Sequence, residues 1–302
     1  MIVVAIALAL LAGVLWGTLG LISHYLLSYG LSVIQLSLIR LGGAFLLTFL
    51  IIITLGKMPK LGIQQWGWIF AIGLICQALG TVSFSSSVAG AGSSLAIVLL
   101  CTGPLFTVAI NRIVYGEKID PLSYYLILLG LLGLILTVTH SNEAGSNTVL
   151  FGKQWFYGIA WGLLSGFCYG LFPILSKALN SVSSWAVVCF SLGVGTAFLA
   201  PLQDNHFSLV QDNTAMLWLL IAALILVPTV IADVLYVRAV AIGGAIIPSV
   251  FALIEVPASI VYAFLWFSVP VSSAQWIGIL MFCFGLIGLS LRKLSSSSDY
   301  LT

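Results

Sequence analysis

Charge is what this chain has least of: only 6% of its 302 residues are Asp, Glu, Lys or Arg, against about 25% in an average soluble domain. Ten basic and eight acidic residues cannot cover the surface of a soluble molecule of 32.2 kDa. An ordinary soluble fold is therefore excluded, and lipid must surround most of the chain. The basic residues form no clustered stripe, which removes nucleic acid as a partner. No G-x-x-x-x-G-K-[ST] loop occurs, so the chain has no phosphate cradle of that kind for ATP, and energy must come from ion or substrate gradients or from a partner. The cysteines Cys76, Cys101, Cys168, Cys189 and Cys283 all lie in apolar runs. They share no pair spacing that suggests a metal site or a disulfide framework, and read as small packing residues. Paired carboxylates, His–Asp spacings and Cys–His sets are missing too. No catalytic residue, metal ligand or cofactor site is therefore assigned, which argues against an integral-membrane enzyme. The lack of a repeated polar ladder argues against a channel.

What the chain has instead is apolar length, with 61% hydrophobic residues. A spanning helix needs roughly 20 of them in a row. Apolar runs and their breaks predict an all-α integral membrane protein of ten transmembrane helices, near 3–22, 33–55, 66–86, 93–113, 122–139, 155–176, 184–202, 216–237, 245–267 and 273–291. The breaks have loop chemistry: Lys57, Pro59 and Lys60 in one, Glu117, Lys118 and Asp120 in another, and two Asp, two Asn and His206 in a third. The first span has no basic leader and runs straight into the multi-span pattern, so it is expected to stay rather than be cleaved as a signal. With the N-terminus in the cytoplasm, inside loops and tail hold Lys57, Lys60, Arg112, Lys118, Lys177, Arg238, Arg292 and Lys293, and outside loops only Lys153. That bias predicts a multi-pass protein of the cytoplasmic (inner) membrane with both termini cytoplasmic, and losing or splitting one span would scramble it.

The ten spans divide into two similar halves. Gly13, Gly17 and Gly20 of the first helix are answered by Gly162, Gly166 and Gly170 of the sixth, at an offset of about 150. Val88-Ala89-Gly90-Ala91-Gly92 resembles Val240-Ala241-Ile242-Gly243-Gly244, with Pro104 and Pro257 following, and Gly130 with Gly133 resembles Gly285 with Gly288. Residues 1–140 and 153–292 are thus read as two five-helix repeats, with 293–302 a short cytoplasmic tail. Five is odd, so the second repeat enters the membrane from the opposite side. Inverted repeats of this kind mark secondary transporters, whose site lies near the midplane between the halves.

Leu15-Trp16-Gly17, Arg40, Gly103-Pro104, Gly116-Glu117-Lys118, Tyr169-Gly170 and Glu255 with Pro257, taken in order over nearly the whole chain, resemble the ten-helix EamA-type branch of the drug/metabolite transporter superfamily. The resemblance implies a secondary transporter with a central cavity between the halves, in a family of which many members export amino acids and related metabolites and some import small solutes. The chain departs from the family pattern at Gly103, where members often have an acidic residue, and at Glu255-Val256-Pro257, where the acid and the proline are separated. After helix nine, Trp266-Phe267-Ser268 stands where Gly-Glu follows helix four.

Three ionisable side chains fall clearly within the spans: Arg40, Asp233 and Glu255. A charge near a helix centre costs roughly 2.5–3.5 kcal/mol on insertion scales, so each should face the bundle interior, a partner or water. Glu255 lies about eleven residues, roughly 16 Å, into its helix. Pro257 should distort that helix and leave carbonyls free for a cavity. Glu255 is read as a cation-binding or proton-coupling carboxylate, or else as a hydrogen-bonded packing group. Asp233 is expected about one turn before the cytoplasmic end of helix eight, lining a vestibule with Tyr236 or pairing with Arg238 or Lys177. Arg40 suits a substrate carboxylate, a pair with an acid or a tie to neighbouring carbonyls, and with Asp233 it is assigned to gating or coupling. Trp16 and Tyr169, in similar places of the two repeats, and the repeat-related Phe84 and Tyr236 are the candidate cavity wall, offering cation–π contacts to an ammonium group. Ser93, Ser94 and Ser249 are candidate hydrogen-bonding groups. Trp66, Trp68, Trp155, Trp218 and Trp276 fall at span starts and read as interfacial anchors. His24, His140 and His206 read as solvated residues of one external face.

The expected function is alternating-access transport of a small polar metabolite, an amino acid or amine-like solute, most simply export, with protons or another ion as candidate coupling partner. The alternative is import of a quaternary ammonium solute such as choline. Sugar phosphates and nucleotide sugars suit the chain poorly, because one intramembrane Arg is little positive charge for several phosphates.

Overall fold

The computed structural model describes residues 1–116, 120–139, 153–203, 215–268 and 270–298, the side chains at 94, 139 and 292–298 excepted. Glu117, Lys118, His140 and His206 lie outside the described residues. Ten helices are long and apolar enough to cross a membrane. They are α1 (Ile2–Ser28), α2 (Val33–Thr54), α3 (Ile63–Ala91), α4 (Ser93–Leu100 and Gly103–Tyr115), α5 (Pro121–Thr139), α6 (Lys153–Ala178), α7 (Ser184–Leu199), α8 (Ala215–Gly243), α9 (Ile246–Phe267) and α10 (Ser273–Ser298). No strand occurs among the described residues. The protein is an all-α membrane fold of two five-helix repeats, the second inverted relative to the first.

Several helices overrun the lengths expected from hydropathy, because a helix continues past the lipid as long as its backbone hydrogen bonds close and no stop signal intervenes. The difference that bears on the site is in α8, expected near 216–237 and running to Gly243, where Gly244 at φ +74° ends it. Asp233 is thus ten residues from the end of its helix rather than one turn from it. His24 lies on the last turns of α1, not beyond it, and Arg238 lies on α8 rather than in a loop. Helix starts are set by side-chain caps. In α2, the Ser32 hydroxyl accepts from the Gln35 N–H at 3.2 Å while the Gln35 Oε1 accepts from the Ser32 N–H at 2.8 Å. Ser272 and Gln275 repeat the arrangement at α10, and Asp120 accepts from the N–H and hydroxyl of Ser123 at α5.

Four helices depart from α geometry, in pairs related by the repeat. α3 and α8 each contain a π segment, Ile72–Leu79 and Leu226–Ile231. In α8 the cause is Pro228, which has no N–H for the Leu224 carbonyl. The Thr229 hydroxyl supplies the missing donor to that carbonyl at 2.9 Å. α4 breaks at Cys101-Thr102, and α9 narrows to a 3-10 turn at Ala252–Ile254 just before Glu255. Left-handed residues terminate the same elements in both halves: Gly92 and Gly244, then Gly116 at φ +66° and Ser268 at φ +55°. Ser268 is the one non-glycine residue in that region among those described, and it stands 152 residues after Gly116.

Helix contacts obey the same exchange. α3 packs on α6 and α8 on α1, α4 on α6 and α9 on α1, while α2 with α7 and α5 with α10 pair across the repeats. Glycines make these approaches possible. A Cβ on Gly133 would meet the Gly278 carbonyl at 2.6 Å, and one on Gly17 would meet the Glu255 carbonyl at 3.1 Å. They also correct the repeat register by about one turn. Gly13 abuts the carbonyl of Ala252, as Gly166 abuts that of Leu99; Gly17 abuts the Glu255 carbonyl, as Gly170 abuts that of Gly103. The true offset between α1 and α6 is 153. Matching glycines by sequence spacing alone slides them by one turn, since glycines recur every three to four residues along each helix.

Candidate functional site

The Trp16 indole N–H donates to Asp233 Oδ1 at 3.0 Å. This bond joins α1 of the first repeat to α8 of the second, and it takes Asp233 away from the Arg238 and Lys177 partners expected from sequence. Around it stands an aromatic cluster. The Trp16 ring lies 4.9 Å from Tyr236 and 6.4 Å from Tyr169, centroid to centroid. Phe172 stacks on Tyr236 at 5.3 Å and 24°. With the 153-residue offset, Trp16 and Tyr169 are repeat equivalents, so the two halves each place one large ring against this centre.

Glu255 opens the second segment of α9, half-buried, with the hydroxyls of Tyr169 and Tyr236 within its electrostatic reach. Both hydroxyls are buried; that of Tyr169 is within side-chain hydrogen-bonding reach of Glu255, and that of Tyr236 has no partner among the described residues. Leaving a buried polar group unpaired costs about 1–3 kcal/mol, so the Tyr236 hydroxyl near this carboxylate calls for an explanation such as a water or a ligand. Arg40 approaches from α2, half-buried, and acts electrostatically on Asp233 without a direct ion pair among the described residues. Asp233 therefore has a hydrogen-bond donor and a cation to offset it, whereas Glu255 faces hydroxyls and rings. Pro173, inside α6, has no N–H for the Tyr169 carbonyl, which adds a backbone acceptor at the same level.

The repeat is not symmetric in its chemistry. Glu255 falls at the position of Gly103, since α9 and α4 resume as helices at these two residues. A Cβ on Gly103 would lie 2.6 Å from Tyr169 Cδ1. The Tyr169 ring occupies the space where a side chain in the first repeat would stand.

Of the residues expected at the site, the structure gathers Trp16, Tyr169, Tyr236, Asp233, Glu255 and Arg40. Phe84 is half-buried and enters no ring pair among the described residues. Ser249 is buried, with its hydroxyl donating to the Ile246 carbonyl at 2.7 Å. Ser93 stands at the first turn of α4, and the Ser94 side chain lies outside the described residues. His24 packs on Phe267 with ring centroids 4.8 Å apart, an aromatic neighbour that its reading as a solvated residue did not foresee. Phe172 was missed. Its spacing of three from Tyr169 on one helix face was the available signal, hidden among 17 phenylalanines.

The profile of the EamA-like transporter family matches the chain twice, over residues 3–139 and 156–291. A protein of Archaeoglobus fulgidus described as an uncharacterized transporter is 25% identical over 210 residues, covering 69% of this chain and 71% of its own. A solved crystal structure, 18% identical, superposes with a TM-score of 0.76 over 95% of this chain and 98% of the other. That likeness is one of fold.

Proposed function

The chain belongs to the EamA-like transporter family of the drug/metabolite transporter superfamily, and from that premise we propose that it moves a small solute with an ammonium group, an amino acid or amine, across the cytoplasmic membrane. The observation that supports this reading is Glu255 with two buried tyrosine hydroxyls around it, that of Tyr169 in hydrogen-bonding reach and that of Tyr236 unpartnered among the described residues. An ammonium N–H would donate to the hydroxyl oxygens and the carboxylate, while the rings of Trp16, Tyr169 and Tyr236 receive its charge. Arg40 is the complement for a substrate carboxylate, and its coupling to Asp233 makes that pair the element through which substrate charge is felt in α2 and α8. Two inverted repeats around one site support alternating access. Export is the direction we assign on likeness to the family, with both termini in the cytoplasm by the distribution of Lys and Arg.

The aromatic enclosure favours a second reading, a quaternary ammonium solute such as choline taken up by the cell. The quaternary nitrogen of such a cation fills the ring box but has no N–H to donate to Glu255 or the Tyr236 hydroxyl, so the two readings separate by the chemistry at nitrogen. The test is uptake and counterflow of amino acids, amines and choline in proteoliposomes, with and without a pH gradient. Glu255→Gln, folded and inserted, is expected to lose most of the flux. Wild-type rates in that variant would overturn the assignment of Glu255, and no solute-dependent flux across the panel would overturn the substrate class.

A further inference from the structure

At the end of α6, Lys177 Nζ sits 3.9 Å above the centroid of the Tyr115 ring, which closes α4. At the end of α1, the His24 ring meets the Phe267 ring, which closes α9. The 153-residue offset of α1 and α6 carries His24 onto Lys177, and the 152-residue offset of α4 and α9 carries Tyr115 onto Phe267. The chain has built one contact twice, a nitrogen-bearing side chain on the last aromatic ring of a broken helix, across the two repeats each time. With ten spans, α4 and α6 end at the membrane face of the N-terminus, and α1 and α9 end at the opposite face.

We infer that these two pairs are the latches of the two mouths of the transport path, made and broken in alternation. Both join a helix whose break frames the central site to the glycine-rich helix packed against it. Opening either mouth while the fold persists requires those helix ends to part, so the pair at that mouth must separate. Both are made in this structure.

The latches are unequal. Lys177 also donates to Asn111 Oδ1 at 3.3 Å, and the Tyr115 hydroxyl donates to the Ile174 carbonyl at 3.4 Å. Deeper on the same face of α4, the Thr107 hydroxyl donates to the Gly170 carbonyl at 2.8 Å. Thr107, Asn111 and Tyr115 recur every fourth residue, so they form one polar seam along α6. Asn111 and Thr107 are fully buried. Their equivalents on α9 are Ser259, which donates within its own helix to Val256 at 2.8 Å, and Ala263, which has no polar group. Tyr25 adds a second ring to Phe267 at 5.5 Å. The face of the N-terminus is thus tied by a cation and hydrogen bonds and the other face by ring contacts, the Tyr262 hydroxyl joining α9 to the Val14 carbonyl of α1 at 3.2 Å deeper in the bundle. The opposite mouth is the one that opens more readily at rest.

Pulsed electron–electron resonance on spin-labelled protein in nanodiscs tests this without any solute, so its outcome is separate from the success of the transport panel. With the native cysteines replaced, labels at Ile113→Cys and Asn180→Cys report on one mouth, and labels at Leu27→Cys and Leu265→Cys on the other. Lys177→Met is expected to raise the long-distance population at the first mouth by about two- to fivefold, the equilibrium effect of losing an exposed cation–π contact, and to shorten distances at the second. Lys177→Arg should preserve the starting distribution, and Phe267→Ala should lengthen distances at the second mouth alone. If Lys177→Met does not fold, Tyr115→Leu serves in its place. Unchanged distributions at both mouths, or lengthening at both together, would overturn the proposal.

Discussion

Tyr236 concentrates the chemistry of the site in one side chain. Its ring is stacked on Phe172 and tilted against Trp16, and it is almost completely buried, yet its hydroxyl has nothing to bind. Packing alone would be served as well by phenylalanine. Tyr236→Phe is therefore expected to leave thermal stability unchanged or to raise it by up to about 1–3 kcal/mol, the range for relieving a buried unpaired group. The same variant should lose flux of a primary amine or amino acid while sparing a quaternary ammonium solute. Detergent melting curves and competition uptake read the two effects, and loss of stability without a change in selectivity would return Tyr236 to a packing role. Glu255, Asp233 and Arg40 stood out in sequence because membrane spans have so few charges. Phe172 did not, because an aromatic residue in lipid is common and only a neighbour gives it meaning.

At the scale of the element, ends and breaks were harder to see than spans. The ten helices follow from runs of apolar residues, while the extra turns of α1 and α8 depend on where capping and left-handed residues stand. Ser268 shows the difference. Trp266-Phe267-Ser268 looked unlike Gly116-Glu117-Lys118, yet Ser268 takes the left-handed conformation of Gly116 to end α9. A serine there costs about 1 kcal/mol relative to glycine. Ser268→Gly should accordingly stabilise the protein by roughly that amount, read as a higher melting temperature. A lower melting temperature would mean that the serine side chain contributes something the backbone does not explain. Pro228 was visible in sequence, but the π segment around it and the Thr229 hydroxyl that satisfies Leu224 needed three-dimensional coordinates.

Across the whole molecule, an inverted repeat builds a symmetric frame around an asymmetric site. The first repeat contributes Trp16 and Arg40; the second contributes Tyr169, Phe172, Asp233, Tyr236 and Glu255. Glu255 and Gly103 are equivalent in the backbone and opposite in chemistry, because the Tyr169 ring fills the volume above Gly103. Orientation in the membrane belongs to this scale also. A membrane-impermeant thiol reagent applied to intact cells should modify Tyr29→Cys, in the loop after α1, and reach Lys57→Cys, in the loop after α2, only after permeabilisation. The reverse pattern would invert the assigned topology and with it the face held by Lys177.

Sequence by itself determined the solvent, the number of spans, the repeat and the short list of intramembrane charges. Each of these follows from composition or from order along the chain, and lipid penalises a misplaced charge enough to make both legible. Tertiary structure alone decided the partners: Trp16 with Asp233, Phe172 with Tyr236, Lys177 with Tyr115, and the one-turn shift that makes Gly13 the counterpart of Gly166 and Gly17 that of Gly170. Those pairings join residues up to 217 positions apart, and glycine spacing that recurs at nearly every helical turn cannot distinguish one register from the next. Only close contact between backbones, at Gly13, Gly17, Gly166 and Gly170, makes that choice.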